Sequence, residues 1–487
     1  MADALNPSFE PNEISRIISE LSAANKGFAR RYPGESNRRQ AVHTVYGGAH
    51  LFKVDSAQKL GAVALRSLEE YVPDGEALAA ALEMSTAQPS PPATASSSVG
   101  EQSSPSGRGR EAHGEREQID ARFAQKLYDR VVDKLRREPV EDFRLDFEDG
   151  YGNRSDAEED GHAATSAREV AEGFRTKRLP PFIGIRIKPL NEDLRARSIQ
   201  TLDIFVTTLA RETGGKLPDG FVITVPKVQL PAQVTAAIRL FEILERKNGL
   251  PSGSLKIELM IETPQAIVNE RGEIALMSLV EAAEGRCGSV HFGVYDYTAS
   301  TRITAKYQAM RHPICDLARQ LMLVSLSGTG IHLSDGATNI LPVGPHRASQ
   351  GQELTDEQQR ENRDAVHQAW RLGFDDNLHS LRNGFYQGWD LHPAQFVTRY
   401  AAVYSFFLEG LEVASKRLSA FVEKAALASL FGDVFDDAAT GQGLLNYFLR
   451  GIACGAITEA EALETGLTLE ELRSRSFLKI LQKRRKQ

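Results

Sequence analysis

Cysteine is nearly absent from this chain. Three occur, Cys287, Cys315 and Cys454. They are far apart and odd in number, so they suggest neither a disulfide framework nor a zinc cluster. Their scarcity fits a reducing cytoplasm. Long apolar runs are missing too: no stretch approaches the roughly 18 residues of a membrane span. The opening "MADALNPSFEPNEISRIISE" has no apolar core of signal-peptide length. Cations are not in excess. The formal net charge of −7 argues against a general nucleic-acid binder. The basic "KILQKRRKQ" at the end reads as a solvated helix end, where cations suit the helix dipole. The final "RKQ" is no peroxisomal address. No G-x-G-x-x-G turn follows the first apolar strand, which weakens an open dinucleotide-binding sheet.

What is present is the composition of an ordinary folded chain, 41% hydrophobic and 25% charged. Its 487 residues suffice for one large barrel with additions. The segment from Ser85 to Arg110, "STAQPSPPATASSSVGEQSSPSGRGR", is Ser/Pro/Gly-rich and holds almost no large apolar residue. Such a segment cannot bury enough surface to offset the entropy of ordering. It reads as a disordered insertion, taken as residues 85–118, because the pattern on its two sides joins up.

Around the insertion, short apolar strands alternate with amphipathic helices. The strands are "HTVYGGAHLF", "FRLDFEDG", "PFIGIRIKPL", "GFVITVPKV", "LKIELMIETP", "GSVHFGVYDY", "GIHLSDG" and "NGFYQGWDLHP". Mostly continuous apolar strands suggest a parallel sheet buried on both faces. About eight β/α units predict an α/β fold closed as a (β/α)₈ TIM barrel. The expected layout is an N-terminal helical segment at 1–42, a barrel at 43–400 and a C-terminal helical extension or lid at 401–487.

In such a barrel the chemistry sits at the C-terminal strand ends, and polar residues fall there. Strand two ends in Asp146, Glu148 and Asp149, strand three in Arg186, and strand four in Pro226-Lys227. Strand five ends in Glu262, strand six in Gly293 and Asp296, strand seven in Ser334-Asp335, and strand eight in "WDLHP". Glu262 and Asp296 could hold one hard divalent cation, or be salt-bridged at the rim. Mg²⁺ takes one or two protein carboxylates and fills its other positions with water or substrate oxygens, and a 2-oxo acid can chelate it. Arg186 is a permanent cation. It would stabilise an enolate oxygen opposite the metal, or pair with Glu148 and Asp149. The two roles are compatible, because acids that position an arginine preorganise a site. Gly150 lets the backbone turn close by. Lys227 could meet a substrate carboxylate or a rim acid. His392 could be a general acid/base or a structural histidine beside proline. His291 and His332, inside apolar strands, read as core residues. Ser334 and Asp335 read as a strand-to-helix cap, with pocket lining as the alternative.

The ordered motifs "LDFEDG … GIRIKP … VPKV … MIETPQAI … HFGVYDYTAS … DLHPAQF" resemble the citrate lyase β-subunit/malyl-CoA lyase/HpcH-HpaI aldolase family. That family belongs to the phosphoenolpyruvate/pyruvate-binding barrels, and the resemblance runs from about His43 to Phe407. It implies a lyase that breaks or forms carbon–carbon bonds next to a 2-oxo acid or acyl-CoA. It implies Mg²⁺, or Mn²⁺ in its place, on Glu262 and Asp296, with Arg186 as the enolate-stabilising arginine. Glu148, Asp149 and His392 are the further catalytic candidates, and Lys227, Gly293 and Gln395 the candidate substrate contacts. Gln395 lies in "DLHPAQ", the element that borders the acyl-CoA site in the family. A C-terminal helical lid reaching a neighbouring subunit, and hence a homo-oligomer, are further implications. Neither a nucleic-acid nor a membrane partner is expected. Where the family often reads R-S-x-L-F-V-P-G, this chain reads "VHTVYGGAHLF". It lacks that arginine, and the use of a CoA thioester stays open. "GVYDYTAS" is also similar to malate synthases, whose acyl-CoA condensation is the alternative reaction. A non-catalytic metabolite-binding barrel is the alternative outside enzymes.

Overall fold

The computed structural model describes residues 9, 11–34, 38–84, 120–348, 353–423, 429–431, 434–436 and 438–484. The insertion at 85–118 lies outside them. Eight strands form one sheet: β1 His43–Gly48, β2 Asp142–Asp146, β3 Phe182–Arg186, β4 Val222–Val225, β5 Lys256–Ile261, β6 Cys287–Phe292, β7 His332–Ser334 and β8 Gly388–Asp390. Every neighbouring pair is parallel, and β8 lies beside β1. The ring closes between β7 and β8. Ser334 bridges to Gln387, Asp335 N donates to Gln387 O (2.8 Å), and Trp389 N donates to Gly336 O (3.0 Å). Helices run between the strands, so the chain is the expected (β/α)₈ barrel.

Two faces of each strand explain the core. Outward residues such as Ile183, Ile185, Ile223, Val225, Leu259 and Phe292 are buried against the helices. The inward residues are polar to a degree that the continuous-apolar reading does not anticipate. Arg144 Nε donates to Thr224 Oγ1 (3.1 Å), and Arg144 pairs with Asp142 and Glu258. Glu258 also accepts from Thr224 (2.7 Å), Ser289 (2.7 Å) and, from across the barrel, Tyr46 (3.4 Å). In β2 the polar residues Asp142, Arg144 and Asp146 alternate with Phe143 and Leu145, the two-residue period of a strand whose faces differ. A buried network of this kind tolerates few alternative registers, since a one-residue slip would turn every charge into the helical layer.

The boundary expected at 400 falls inside the helix Phe396–Leu408, nearly all of which is buried. The helices that follow meet the barrel at the N-terminal ends of its strands. Arg450 Nη1 donates to Gln40 Oε1 (2.9 Å), and Gln40 Nε2 donates to Leu333 O (3.2 Å). Arg130 joins them on the flank through Ala456 O (2.6 Å) and Glu461.

Candidate active site

At the opposite end, the barrel mouth is organised from Asp146 outward. The last residue of β2 gives both carboxylate oxygens two donors each. Oδ1 accepts from Arg186 Nε (2.7 Å) and Glu148 N (3.0 Å); Oδ2 accepts from Arg186 Nη2 (2.5 Å) and Gly150 N (2.7 Å). One side chain thus fixes both the arginine and the turn beside it. A Cβ on Gly150 would lie 2.6 Å from Asp146 Oδ2, so only glycine permits this approach. The turn ends at Ser155, which forms a capping box with Glu158 and starts the helix Asp156–Thr176.

Arg186 is 1% exposed. Its guanidinium lies 4.7 Å from the Tyr46 ring centroid and 5.5 Å from that of Trp389. Burial opposes its charge, but Asp146 and Glu148 outweigh burial and keep it protonated. With Nε and Nη2 committed to Asp146, Nη1 donates to Met260 Sδ (3.7 Å) and is the nitrogen beside the mouth acids. It stands 3.1 Å from Glu148 Oε2 and 3.7 Å from Asp149 Oδ2. The first contact lacks hydrogen-bond geometry, so Glu148 Oε2 is buried without a hydrogen-bond partner. Burial pushes the Glu148 carboxyl up, against the pull of Arg186. For the more exposed Asp149, Arg186 and Lys227 outweigh burial and hold the carboxyl low.

Lys227 follows β4 in the left-handed region, at φ +50°. Its backbone N–H donates to Glu262 Oε1 (2.7 Å). Its ammonium pairs with Glu148 and stands 3.4 Å from Asp149 Oδ1 and 3.6 Å from Asp296 Oδ2. Three carboxylates thus converge on one cation. Glu262, the residue after β5, is 2% exposed. Burial pushes its carboxyl up to about 8, helped by the negative charge of Asp296. Gly293 makes room for it: a Cβ there would sit 2.5 Å from Glu262 Oε2. Asp296 is not a strand residue. It lies in the first turn of the helix Val294–Ser300, half exposed.

Among the described residues no three His, Cys, Asp or Glu side chains close into a metal cage. Glu262, deeply buried, and Asp296, half exposed, could serve as a pair of hard carboxylate ligands. That suits Mg²⁺ or Mn²⁺, which leave several positions to water or substrate. Of these two acids, Asp296 stands 3.6 Å from the Lys227 ammonium, while Glu262 is met by the Lys227 backbone N–H.

The mouth brings together Arg186, Glu148, Asp149, Lys227, Glu262, Gly293 and Asp296, from the ends of five consecutive strands. His392 and Gln395 follow β8 at the same end of the barrel, and their described hydrogen bonds lie within and beside the loop there. His392 Nδ1 accepts from Ala394 N (3.2 Å) and caps a short turn. Gln395 Oε1 accepts from Leu391 N (2.7 Å) and His392 N (3.0 Å), while its Nε2 donates to Thr338 O (2.8 Å). Both side chains therefore hold the loop after β8. Asp335 is bound by Arg319 (2.8 Å) and Ser380 (2.5 Å). Asp390 is bound by His43 (2.8 Å) and Arg399 (2.9 Å). These two acids are internal partners and not part of the mouth. His291 is fully buried in the barrel interior, in agreement with a core position, with its ring edge-on to Tyr46 and Trp389. Tyr46 and Trp389, the aromatic walls of Arg186, escaped sequence reasoning; aromatic residues at inward positions of β1 and β8 were the available signal.

Among solved structures, the barrel is similar to a citrate lyase from Burkholderia xenovorans LB400. The TM-score is 0.50 at 18% identity, over 70% of this chain and 93% of that one. Two further matches are weaker. One is a CitE protein from Mycobacterium tuberculosis in complex with magnesium, acetoacetate and coenzyme A (TM-score 0.41, 16% identity, 65% of this chain and 91% of that one). The other is a malate synthase from Haloferax volcanii (0.37, 17%, 58% and 75%). At these identities the likeness is one of fold. The chain itself matches the model of DUF6986, a domain of unknown function, over residues 21–480, and belongs to that family.

Proposed function

We propose that this chain is a metal-dependent carbon–carbon lyase of the aldolase type, acting on a 2-oxo acid or its acyl-CoA counterpart through an enolate. The observation that carries this reading is the convergence of Arg186 Nη1, Lys227, Glu148, Glu262 and Asp296 on one mouth. The motif resemblance to the citrate lyase β-subunit/HpcH-HpaI aldolase family supports the same reading. So does the citrate lyase that shares the fold.

Glu262 and Asp296 would hold the divalent ion, which supplies a Lewis acid for the oxygens of the 2-oxo acid. Arg186 offers Nη1 to the oxygen that gains negative charge as the bond breaks. Its fixed position means that little reorganisation accompanies that charge. Glu148 is the acid/base candidate. Its Oε2 is buried and unsatisfied, and its carboxyl is pushed upward, so it can take a hydroxyl proton from the aldol. Lys227 pairs with Glu148 and can turn its ammonium to a substrate carboxylate. His392, tied into a cap by its Nδ1, is a weaker base candidate than Glu148.

The test is steady-state assay of the full chain with Mg²⁺, 4-hydroxy-2-oxo acids and, separately, acetyl-CoA with a 2-oxo acid. Metal-dependent release of a 2-oxo acid is expected. Release of free thiol instead would assign the malate-synthase-like condensation. Glu262→Gln and Asp296→Asn should each abolish Mg²⁺ binding in calorimetry and leave the fold intact, because hard anionic ligands are lost while shape is kept. Unchanged metal affinity in both variants would remove the metal from this reading.

A further inference from the structure

The turn that Asp146 holds has a second neighbour. Gly150 lies against Gly48 at the end of β1: a Cβ on Gly48 would stand 2.6 Å from Gly150 O and 2.6 Å from His50 Cε1. The His50 ring therefore packs beside the turn that carries Glu148 and Asp149. Two more nitrogen-bearing side chains meet it there. The ring centroids of His50 and His162 are 5.8 Å apart, and both rings stand edge-on to Tyr151, at 5.4 and 5.7 Å. The Arg154 guanidinium lies 5.1 Å from the centroid of the same tyrosine. Few of these nitrogens are used. His162 Nδ1 shares a hydrogen bond with the Tyr151 hydroxyl (2.7 Å), and Arg154 spends Nε on Tyr151 O (3.3 Å). His50 Nδ1 is buried with no partner. Nε2 of both imidazoles and the two terminal nitrogens of Arg154 are left for a ligand.

Three such groups side by side repel one another when charged. Burial first, then Arg154 and His162, push the His50 imidazole down. Glu158 senses Arg154 and His162, but its Oε2 is taken by Ser155 N (3.0 Å) and Ser155 Oγ (2.8 Å). Among the described residues no carboxylate forms an ion pair with Arg154. Unfavourable electrostatics kept beside a cleft are a signature of functional sites, and guanidinium and imidazole N–H donors suit an anion. We propose that His50, His162 and Arg154 form a subsite for an anionic end group, a carboxylate or a phosphate, on the part of the substrate remote from the metal. The position fits that role. The subsite follows β1 and β2, whereas Glu262 and Asp296 follow β5 and β6, across the barrel. The anion site stands by itself; its assignment to the substrate rests on the lyase reading.

The test follows the histidine Cε1–H signals of the full chain by NMR, without added metal, during titration with inorganic phosphate and, separately, with malonate. His50→Gln and His162→Gln assign the two signals. One of the anions should shift both signals saturably, with Kd of about 1 mM or tighter. Which anion does so separates a phosphate from a carboxylate source. Arg154 is exposed, so Arg154→Gln should fold normally, and it should weaken the binding by about tenfold. The second readout is kcat/KM for 4-hydroxy-2-oxo acids that end in that anion, relative to those that end in a methyl group. Arg154→Gln should lower this ratio by about tenfold or more. Absence of saturable shifts with both anions overturns the subsite, as does binding that Arg154→Gln does not weaken. Binding with an unchanged ratio overturns its assignment to the substrate. If no aldol is turned over while the titration behaves as expected, the lyase reading fails, and with it that assignment, but the anion site stands.

Discussion

Arg186 illustrates how little freedom a residue of this mouth retains. Two of its nitrogens are held by Asp146, two aromatic rings flank its plane, and one nitrogen faces the acids. If that nitrogen meets a developing oxyanion, Arg186→Lys should fail although charge is kept, because an ammonium on a mobile stem cannot reproduce the fork. The expected fall in kcat is about 100-fold, roughly 3 kcal/mol, with metal affinity unchanged in calorimetry. A variant that retains wild-type kcat would return Arg186 to a purely structural role. Gly293 gives a complementary test on the other side of the mouth. Gly293→Ala would place a Cβ 2.6 Å from that of Glu262, so the glutamate must shift. Mg²⁺ affinity should fall by about tenfold or more, as when the support of a metal ligand is lost. Equal Mg²⁺ titrations for variant and parent would show that Glu262 does not need this space.

Among the elements, the helices on either side of the 85–118 insertion are already in contact. Gly75 N donates to Gln125 Oε1 (3.2 Å), and a Cβ on Gly75 would lie 2.5 Å from the Ala124 backbone. Replacing residues 85–118 by a short Gly/Ser link should move the melting temperature by no more than about 3 °C, since loop-closure entropy varies slowly with length. Collapse of the transition in calorimetric scans would contradict this. The sequence makes the order of strands and helices legible, because each β/α unit writes its own apolar period. Glu148, Arg186, Lys227 and Glu262 were equally legible, as polar residues that break off an apolar strand. The pairings were not. Trp389 reaches Arg186 across the barrel from a distant part of the chain, and no local pattern encodes that contact. Asp390 shows the opposite error. It ends a strand like the others, but its side chain turns to His43 and Arg399. Asp296 looked like a strand end because "GVYDY" is apolar and aromatic, yet the chain leaves the sheet at Gly293 and begins a helix.

For the whole molecule, the polar barrel interior couples folding to acidity. Burial, the largest cause, pushes the His291 imidazole down to about 4 from an ordinary 6.5. Between those values the unfolded chain takes up a proton that the folded chain refuses. This group's contribution is therefore complete above about pH 6.5 and is lost as pH falls toward 4, by up to roughly 3 kcal/mol, while Glu262, held up at about 8, contributes with the opposite sign. From pH 7 to pH 4.5 the urea midpoint of the parent should drop relative to that of His291→Phe. Equal pH dependence in parent and variant would show that the fold does not depress the His291 imidazole. The closure of the ring has another consequence, one of time. His43 on β1 and Asp390 at the end of β8 are 347 residues apart in sequence and 2.8 Å apart in space. A ribosome adding about 5–20 residues per second leaves roughly 20–70 s between their syntheses. Throughout that interval β1 offers an unpaired edge of the kind that invites association with other chains. The barrel can close only after translation has passed its last strand, and until then the nascent chain depends on its surroundings to keep that edge covered.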